Sequence, residues 1–513
     1  MRSTAIHLFA LLAMPAWVMA HPLVAREVKH DQSAPLRDLV LTTTKSSGAQ
    51  SAQDARPTRA PFTSSQSDPV ATTPSGVLGV GVRLNFDGIS AQDTVASGGP
   101  FVPPDTNGAV GATQFVEWVN VTFEVFDKTT GTTVMGPTPG NAFWAGFGGP
   151  CETRNDGDII IQYDKAAGRW IAAQPVFVEP FMYCLAVSTT SDATGSYHRY
   201  AFQFPPGDFP DYPKLGVWPD AYYATFNIFN PKFAGAMACA YDRRKMLAGA
   251  AASAVCFQQP SNVSSLLPAD RDSKLAPPAG APNFMVGLAD ATDLFFFKFH
   301  VDFANPGNST LTGPLLIPVA PFSEICNRSK TESCIPEPPG GQNVDAISDR
   351  LMYRLAYRNF GDHEALVANH TVAGGPLAGV RWYEIRNPST VPIVFQQGTV
   401  VTQDVNFWMA SIAMDKLGDI ALGFSASSNA LDPSVEIVGR TPGDPVGAMN
   451  GPATLAVGTG VQKSSFHRWG DYSSMAVDPL DGCTLWYTQE YYVETGSFNW
   501  STRISSFKFN SCE

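Results

Sequence analysis

Several sequence features are missing from this chain, and each absence excludes a class of protein. No apolar run reaches the roughly 20 residues that a membrane-spanning helix needs. No stretch concentrates Lys and Arg, and the formal net charge is −12, so binding to nucleic acid or to an anionic membrane is not expected. None of the eight cysteines lies in a CxxC or a Cys/His spacing, which argues against a zinc site.

The familiar catalytic motifs are also missing. The chain contains no GxSxG nucleophile elbow, no HExxH motif, no phosphate-binding loop and no EF-hand loop. Charged residues make up only 16% of the chain, whereas glycine, proline and aromatic residues are abundant. That mixture is typical of an all-β protein with many turns.

The N-terminus has the pattern of an export signal. Arg2 precedes an apolar segment at 6–12, and the small-residue ending Val18-Met19-Ala20 predicts cleavage after Ala20. Pro15 interrupts the apolar run, which is too short for a membrane anchor. The mature protein is therefore predicted to be secreted, either extracellular or periplasmic, with attachment to the cell surface left open.

All eight cysteines follow the signal, as expected for a protein of an oxidising compartment. Nearness in sequence predicts four local disulfides: Cys151 with Cys184, Cys239 with Cys256, Cys326 with Cys334, and Cys483 with Cys512. Many other connectivities are open to eight cysteines, so this pairing is an expectation from spacing alone. Within the second of these loops, Asp242 is placed to cap a short helix.

Residues 21–75 form a leader rich in Ser, Thr, Ala, Gln and Pro, with no sustained periodicity. Such a segment cannot bury enough apolar surface to offset the entropy lost on ordering. We expect this leader to be disordered, as a spacer from the cell surface or as a cleaved propeptide. The folded domain is predicted to span residues 76–513.

One phrase recurs within residues 76–513. An Asp or Asn precedes a short apolar run, a turn follows, and a strand rich in aromatic or β-branched residues comes next. Seven anchors of this phrase can be aligned: Asp105, Asp158, Asp211, Asn283, Asp362, Asn406 and Asp471. They recur roughly every 60 residues, which suits propeller blades of about 40–50 residues with loop insertions.

The repeat predicts an all-β fold, a β-propeller of seven four-stranded blades behind a disordered N-terminal leader. The strand that begins near Gly76 is expected to complete the last blade and close the ring. The alternative is a pair of β-sandwiches whose strands resemble one another by accident.

In a propeller, the residues that lead into the innermost strands collect at one mouth of the central channel. Paired carboxylates beside aromatic rings are what glycan cleavage needs. If the protein is an enzyme, the candidate catalytic residues are Asp471, Asp211 and Asp105. The candidate binding residues are Tyr472, Arg468, Trp469, Tyr212, Lys214, Trp408, His363 and Glu364.

Three alternatives stay open for these residues. Each anchor Asp could simply cap its own turn by accepting backbone N–H bonds. Arg468 beside Asp471 could be a structural ion pair or an anion clamp. No metal site and no cofactor is assigned, although the same carboxylates could bind calcium, which favours oxygen ligands.

Two turns, at 414–419 and 477–482, resemble the Asp-box turns of sialidase-type propellers. Those turns are structural in that group, so the resemblance implies that Asp415 and Asp478 are not catalytic. No set of three arginines and no Tyr–Glu pairing matches a sialidase active site, so the resemblance does not extend to activity.

Four phrases are distinctive together: Pro104-Asp105-Thr106-Asn107-Gly108, Asp211-Tyr212-Pro213-Lys214, Arg468-Trp469-Gly470-Asp471-Tyr472 and the run from Cys483 to Tyr491. In this order they resemble a family of secreted bacterial β-propeller proteins, mostly recorded as hypothetical. The resemblance covers roughly residues 76–512. It implies the fold and export, and it assigns no catalytic residue.

Two functions from different classes follow. The first is a secreted binding module that displays loops to a glycan or an extracellular protein, indicated by the missing catalytic motifs and the long leader. The second is a carbohydrate-active hydrolase or lyase, indicated by the clustered Asp, Tyr and Trp anchors. Carboxylates about 5–10 Å apart in an open, aromatic-lined pocket would favour hydrolysis, whereas Asp side chains confined to their own turns would count against it.

Overall fold

The computed structural model describes residues 21–39, 59–326, 333–463 and 465–512. The predicted signal peptide, residues 1–20, lies outside the described residues. Four strands precede the first blade: β1 (Leu23–Arg26), β2 (Lys29–Gln32), β3 (Ala71–Thr72) and β4 (Val80–Ser90).

Seven antiparallel blades follow in chain order. Blade 1 contains β5 (Thr106–Val110), β6 (Gln114–Val119), β7 (Thr122–Asp127) and β8 (Thr133–Pro139). Blade 2 contains β9 (Ile160–Asp164), β10 (Arg169–Val176), β11 (Met182–Ser188) and β12 (Tyr197–Gln203). Blade 3 contains β13 (Phe209–Val217), β14 (Ala221–Phe229), β15 (Phe233–Asp242) and β16 (Ser253–Gln258).

The other four blades complete the ring. Blade 4 contains β17 (Leu267–Arg271), β18 (Asn283–Leu288), β19 (Asp293–His300) and β20 (Thr310–Pro318), and a small sheet of β21 (Ser333–Ile335) and β22 (Val344–Asp345) follows it. Blade 5 contains β23 (Met352–Asn359), β24 (Glu364–Ala373), β25 (Ala378–Arg386) and β26 (Ile393–Val400). Blade 6 contains β27 (Asn406–Met414), β28 (Ile420–Ser427), β29 (Ser434–Arg440) and β30 (Asn450–Ala456). Blade 7 contains β31 (Ser474–Val477), β32 (Leu485–Tyr492) and β33 (Trp500–Phe509).

Helices are short and lie in the connections. The α-helices are α1 (Pro150–Thr153) and α2 (Arg243–Leu247), and the 3₁₀ helices are Leu36–Asp38, Gln92–Ser97, Gly140–Trp144 and Pro306–Asn308. The Asp242 carboxylate caps α2 by accepting a hydrogen bond from the Lys245 N–H at 3.0 Å, as predicted. Within the described ranges, no helix is long and apolar enough to span a membrane.

The innermost strands form a closed ring. β5, β9, β13, β17, β23, β27 and β31 each contact the next, and β31 contacts β5. The expected seven-bladed β-propeller is therefore confirmed. Buried aliphatic and aromatic side chains fill the space between neighbouring blades, with all of Trp118, Trp170, Trp218 and Trp382 fully buried.

The ring is closed by a strand from each end of the chain. β4 pairs antiparallel with β33, in a register that runs from Ser501 opposite Ser90 to Phe509 opposite Val80. β4 therefore supplies the fourth strand of blade 7, as expected for the strand that begins near Gly76. This pairing holds a strand from before blade 1 and a strand from after blade 6 in one sheet, with β4 as its outermost strand.

Two described parts of the leader, residues 21–39 and 59–75, also form strands, which their composition does not predict. β1 extends blade 3 by pairing with β16, β2 extends blade 2 by pairing with β12, and β3 pairs in parallel with β26 of blade 5. An outer blade strand offers unpaired N–H and C=O groups, so a chain with few apolar residues can still pair there through its backbone. Residues 40–58 lie outside the described part of the chain.

Five of the seven aligned anchors lead into inner strands, and two do not. Asn283 begins β18 and Asp362 precedes β24, and both are second strands of their blades. The alignment was wrong there because the true inner strands, β17 and β23, carry buried charges in place of an apolar run. Arg354 on β23 donates to Asp270 on β17 at 2.8 Å and also to Asp272. The backbones of β17 and β23 also pair in parallel, and this strand pairing joins blades 4 and 5 into one nine-stranded sheet.

The four predicted disulfides are confirmed, and they include all eight cysteines: Cys151–Cys184, Cys239–Cys256, Cys326–Cys334 and Cys483–Cys512. They fit a protein of an extracellular or periplasmic compartment.

In the two turns that resemble Asp-box turns, the Asp side chain accepts a backbone N–H of its own turn. Asp415 accepts from the Leu417 N–H at 2.8 Å, and Asp478 accepts from the Leu480 N–H at 2.9 Å.

Candidate functional site

The segments that lead into the inner strands of blades 1, 2, 3 and 7 enclose one pocket at a mouth of the channel. It has a volume of about 70 Å³, room for a few waters or for one end of a larger ligand. Its lining includes the three predicted catalytic residues, Asp105, Asp211 and Asp471, together with Asp158 and Arg468. Phe101 and Phe177, both partly exposed, are its aromatic members.

Three of these carboxylates lie close together. Asp105, Asp158 and Asp471 each contribute an oxygen, and these oxygens all lie within 4.8 Å of one another. They come from blades 1, 2 and 7, so closure of the ring is what brings them together. Asp158 has φ 51°, in the left-handed region, and Gly157 before it has φ 95°. We call these three residues the carboxylate triad.

Asp105 is the most perturbed member of the carboxylate triad. It is 7% exposed, and its Oδ1 has no hydrogen-bond partner among the described residues. Burial and the neighbouring charges of Asp471 and Asp158 raise its pKa well above the usual range, against the opposing effect of Arg468 and Lys214. An acid of this kind can hold a proton at a pH where an exposed aspartate is ionised.

Arg468 and Asp471 form the ion pair that their spacing allowed. The Arg468 Nη2 donates to Asp471 Oδ1. On its other side, the Arg468 Nε lies 4.0 Å from Asp345 Oδ2 on β22. Arg468 lines the pocket, so its guanidinium could also contact an anionic group on a ligand.

Lys214 lies beneath the pocket and is fully buried. Its Nζ lies 3.3 Å from the centroid of the Tyr212 ring and 4.3 Å from that of Tyr472, and it donates to the Pro213 carbonyl at 2.9 Å. Burial lowers the pKa of Lys214 to about 7, although Asp158 and Asp471 favour the charged form. This amine is therefore balanced between its two protonation states near neutral pH.

Tyr212 and Tyr472 hold the pocket from below and do not line it. Both are buried, and the Tyr212 hydroxyl donates to the Asp471 carbonyl at 3.2 Å. Tyr212 has φ 55°, and the pairing register of β13 shifts between Asp211 and Lys214. This irregularity places two charged residues of one strand, Asp211 and Lys214, around the same pocket. The three residues predicted to bind, Tyr212, Lys214 and Tyr472, are therefore buried behind the residues that line the pocket.

Glu490 was missed by sequence reasoning. It is fully buried on β32, and both carboxylate oxygens have no hydrogen-bond partner within the described part of the chain. A Cβ added at Gly470 would lie 3.3 Å from Glu490 Oε1 and 3.4 Å from the Pro104 carbonyl oxygen, so Glu490 lies directly beside the segments that carry Asp105 and Asp471. Burial, then the charges of Asp105, Glu337 and Asp471, raise its pKa well above the usual range.

The charges at this mouth do not balance. Five carboxyl groups, those of the carboxylate triad, Asp211 and Glu490, lie around the pocket with the cationic side chains of Lys214 and Arg468. A third cation, Arg350, lies 4.5 Å from the Tyr212 ring centroid and is paired with Asp349. Such a set either retains protons at neutral pH or holds a hard cation. Oxygens within 4.8 Å of one another can share an ion that takes ligands at 2.3–2.6 Å. Asp105, Asp158 and Asp471 are therefore the residues that would hold calcium, and the unpartnered Asp105 oxygen fits that role.

Trp408 and Trp469 do not line the pocket, which corrects the expectation that they bind a ligand. Both are fully buried, with ring centroids 5.6 Å apart, and the Trp469 Nε1 donates to Ser425 Oγ at 3.0 Å. Both rings belong to one buried cluster that also contains Met409 and Tyr492, so they have no accessible surface for a sugar. The aromatic residues that line the pocket are Phe101 and Phe177, both partly exposed.

His363 and Glu364 lie away from the pocket, a second correction. They follow the end of the inner strand β23, because the anchor at Asp362 belongs to the second strand. His363 stacks on Phe360 with centroids 4.6 Å apart, and Glu364 accepts from the Tyr357 hydroxyl at 2.6 Å. These contacts stabilise a blade and leave neither residue near the carboxylate triad.

No protein-family model matches the chain, and no curated protein matches it. Solved structures that it resembles include the N-terminal domain of Nup159, at 12% identity over 87% of this chain and 100% of that one, with a TM-score of 0.38. Another is the WD40 domain of SCAP from fission yeast, at 8% identity over 77% and 82%, with a TM-score of 0.34. A third is a Penicillium chrysogenum alpha-L-arabinanase complexed with arabinobiose, at 11% identity over 87% and 100%, with a TM-score of 0.33.

Proposed function

We propose that the protein is an exported glycan-binding propeller and that the channel-mouth pocket takes one end of the glycan. The observation that carries this proposal is the gathering of Asp105, Asp158 and Asp471 at a solvent-accessible pocket. Carboxylate oxygens accept hydrogen bonds from sugar hydroxyls, and an ion held between them would offer further coordination to the same hydroxyls. Phe101 and Phe177 supply apolar surface for the faces of sugar rings.

The size of the pocket supports binding of a chain end rather than of a chain interior. A volume of about 70 Å³ is too small to enclose a whole saccharide, so the rest of the ligand would lie across the loops around the mouth. The predicted export signal, the four disulfides and the net charge of −12 are consistent with a glycan or another extracellular partner.

The test is binding to a panel of immobilised glycans by the mature protein, with and without calcium. Asp158→Asn and Asp471→Asn are expected to lose at least tenfold in affinity. Asp362→Asn is the control, because the side chain of Asp362 is 82% exposed and lies away from the pocket. Unchanged binding by both pocket variants, or no binding to any glycan by the wild type, would overturn the proposal.

A second candidate, glycan hydrolysis, is favoured by one specific observation. Asp105 has a raised pKa and lies next to Asp471, which is ion-paired with Arg468. Carboxyl groups in such different surroundings suit a general acid and a base or nucleophile. Asp105 would donate the proton, and Asp471 or Asp211 would act on the opposite side of the bond.

Hydrolysis is tested by incubating the protein with pooled polysaccharides and comparing the wild type with Asp105→Asn. Release of reducing ends by the wild type alone would establish an enzyme. The oxygens of the carboxylate triad are closer than the roughly 6.5–9.5 Å separation of inverting glycosidases. A product with retained anomeric configuration is therefore expected from a pair within the triad. Glycan binding without any product would remove this candidate.

A further inference from the structure

A second cavity lies at the opposite mouth of the channel, where the inner strands end. It has a volume of about 720 Å³. Its lining comes from the ends of β17 and β23 and from the turns that follow β9, β27 and β31. The channel-mouth pocket lies where these strands begin, so the two sites are at opposite ends of the ring. A volume of this size is in the range of small-molecule sites, which occupy about 300–1,000 Å³.

Positive charge is concentrated at this cavity, in a chain whose net charge is −12. Five cationic side chains line it: Lys165, Arg271, Lys274, Arg358 and Lys416. Three Asp residues also line it, and each is already engaged. Asp272 pairs with Lys165 and Arg354, Asp478 pairs with Lys128, and Asp481 accepts the backbone N–H groups of Cys483 and Thr484.

Arg358 is the decisive residue. It is 5% exposed, and its Nε donates to the Met414 carbonyl at 3.0 Å. Its Nη2 has no acceptor among the residues that the structure describes. A guanidinium presents five N–H donors and cannot give up its charge, so a buried, unpaired donor that borders a cavity is costly unless a ligand accepts from it. Burial lowers the pKa of Arg358, in line with an incompletely paired cation.

The surrounding groups hold further cations in place around Arg358. Arg271 donates from Nε to the Ser273 carbonyl at 2.9 Å, and Lys274 donates to the Leu480 carbonyl at 2.8 Å. The first bond holds Arg271 to the loop that follows β17, and the second holds Lys274 to the turn that follows β31 in blade 7. Lys416, on the turn after β27, is exposed at the rim.

From this geometry we infer an anion-binding site at the second mouth, which takes a small molecule that carries a phosphate or sulfate group. The planar guanidinium of Arg358 suits two oxygens of such a group, and Lys274 and Lys416 add charge from the rim. The site is independent of glycan binding at the first mouth, because it shares no residue with that pocket.

The experiment is calorimetric titration of the mature protein with inorganic phosphate, sulfate and glucuronate in a zwitterionic buffer of low ionic strength. Saturable binding of phosphate or sulfate with a submillimolar Kd is expected from the wild type. Arg358→Met is expected to abolish it. Because this buried variant could fail to fold, the exposed double variant Lys274→Gln/Lys416→Gln is measured as well, with an expected loss of at least fivefold.

The control is Lys232→Gln, a surface lysine away from the cavity, which should bind as the wild type does. Asp158→Asn, in the other pocket, should also leave phosphate affinity unchanged, so failure of this site and failure of the glycan proposal are distinguishable. Tighter binding of glucuronate than of phosphate or sulfate would overturn the ligand class. Absence of saturable binding by any of the three anions, or equal affinity in the double variant, would overturn the site.

Discussion

The ammonium nitrogen of Lys214 lies 3.3 Å from the centroid of the Tyr212 ring, two residues before it on the same strand. The two residues lie at the point where the pairing register of β13 shifts, between Asp211 and Lys214, and Tyr212 has a left-handed φ of 55°. The result is a buried amine below the carboxylate triad, stabilised by two aromatic faces and by nearby carboxylates.

Lys214 predicts a measurable pH dependence of stability. The pKa of Lys214 is lowered from 10.5 to about 7 in the folded protein, chiefly by burial. The unfolded chain therefore binds more protons between these values, and the free energy of unfolding rises with pH across that range. Lys214→Met should remove roughly 2 kcal/mol of the rise between pH 7 and pH 9.

The measurement is urea unfolding of the wild type and Lys214→Met at both pH values. Lys232→Met is the matched control, since that lysine is exposed. Equal pH slopes in the wild type and Lys214→Met would show that the buried amine keeps an ordinary pKa.

The stability of Glu117 variants should show how much the contact between blade 1 and blade 7 contributes to closure of the ring. It is fully buried on β6 of blade 1, and it accepts from the Ile89 N–H at 2.7 Å, from Thr502 Oγ1 at 3.0 Å and from Thr488. These donors belong to β4, β33 and β32, so one side chain ties the first blade to the closing blade. Glu117→Ala removes the acceptor of the Ile89 N–H and of the Thr488 hydroxyl, whereas the Thr502 hydroxyl can still donate to the Ile89 carbonyl at 2.8 Å. We expect a loss of roughly 3 kcal/mol in the free energy of unfolding.

The isosteric Glu117→Gln separates charge from hydrogen bonding. Burial raises the pKa of Glu117 from 4.5 to about 7, against the effect of its three donors. The folded protein holds this proton more tightly than the unfolded chain, so its contribution to stability falls as pH rises from 4.5 to 7. Glu117→Gln should flatten that fall by roughly 2 kcal/mol between pH 5 and pH 7, measured by urea unfolding. A slope identical to that of the wild type would contradict the raised pKa.

The disulfides should differ in their contribution to stability. Cys151–Cys184 closes a loop of 33 residues and both cysteines are buried, whereas Cys326–Cys334 closes 8 residues and neither of its cysteines is buried. Loss of the longer crosslink frees more chain entropy and leaves a gap in the core. Cys151→Ser/Cys184→Ser should lower the free energy of unfolding by about 3–4 kcal/mol, and Cys326→Ser/Cys334→Ser by less. Thermal unfolding of both double variants tests this order.

The strands β1 and β2 predict a stabilising role for residues 21–34. Arg199 on β12 is 2% exposed, and its Nε and Nη2 donate to Asp31 on β2 at 2.8 and 2.7 Å. Deleting residues 21–34 removes β1, β2 and this partner. We expect a lower Tm and some self-association, because two blade edges become free to pair.

Asp31→Ala is the control for the ion pair, since it keeps both strands. It should cost roughly 1–2 kcal/mol while the protein stays monodisperse by light scattering. Equal aggregation of the deletion variant and Asp31→Ala would show that strand pairing is not what protects the edges.

Most of the fold could be predicted from the sequence. The parts that could not be predicted have one physical cause in common. The blade repeat, the closing strand and the disulfides were readable because apolar runs and local spacing mark them. The inner strands β17 and β23 were not, because Asp270 and Arg354 satisfy each other only across two blades. Such pairing depends on a partner distant in sequence, which a local pattern does not contain.

The candidate site was predictable to a similar extent. Asp105, Asp211 and Asp471 were identified because the residues that lead into inner strands meet at one mouth. Asp158 was an anchor of the same repeat, but nothing in its sequence neighbours distinguished it. The prediction that Trp469 contacts a ligand was wrong. Whether a side chain at the start of a strand faces the pocket or the core depends on the local backbone conformation, which the repeat does not specify.

Gly470 provides the sharpest test of the pocket floor. Its φ of 45° lies in the left-handed region, which a residue with a Cβ adopts at a cost. The added methyl of Gly470→Ala would also lie 3.3 Å from Glu490 Oε1 and 3.4 Å from the Pro104 carbonyl, and the backbone oxygen can yield little. We expect a loss of roughly 1–2 kcal/mol in the free energy of unfolding and weaker ligand binding, because Asp471 is displaced relative to Asp105.

Gly443→Ala is the matched control. A Cβ at Gly443 would meet only Thr441 Oγ1, at 3.8 Å, and its φ is not in the left-handed region. Its free energy of unfolding should change by no more than about 0.5 kcal/mol. The two variants are compared by urea unfolding and by glycan binding. If Gly470→Ala were as stable and bound as tightly as Gly443→Ala, the segment that carries Asp471 would not be fixed by its contact with Glu490.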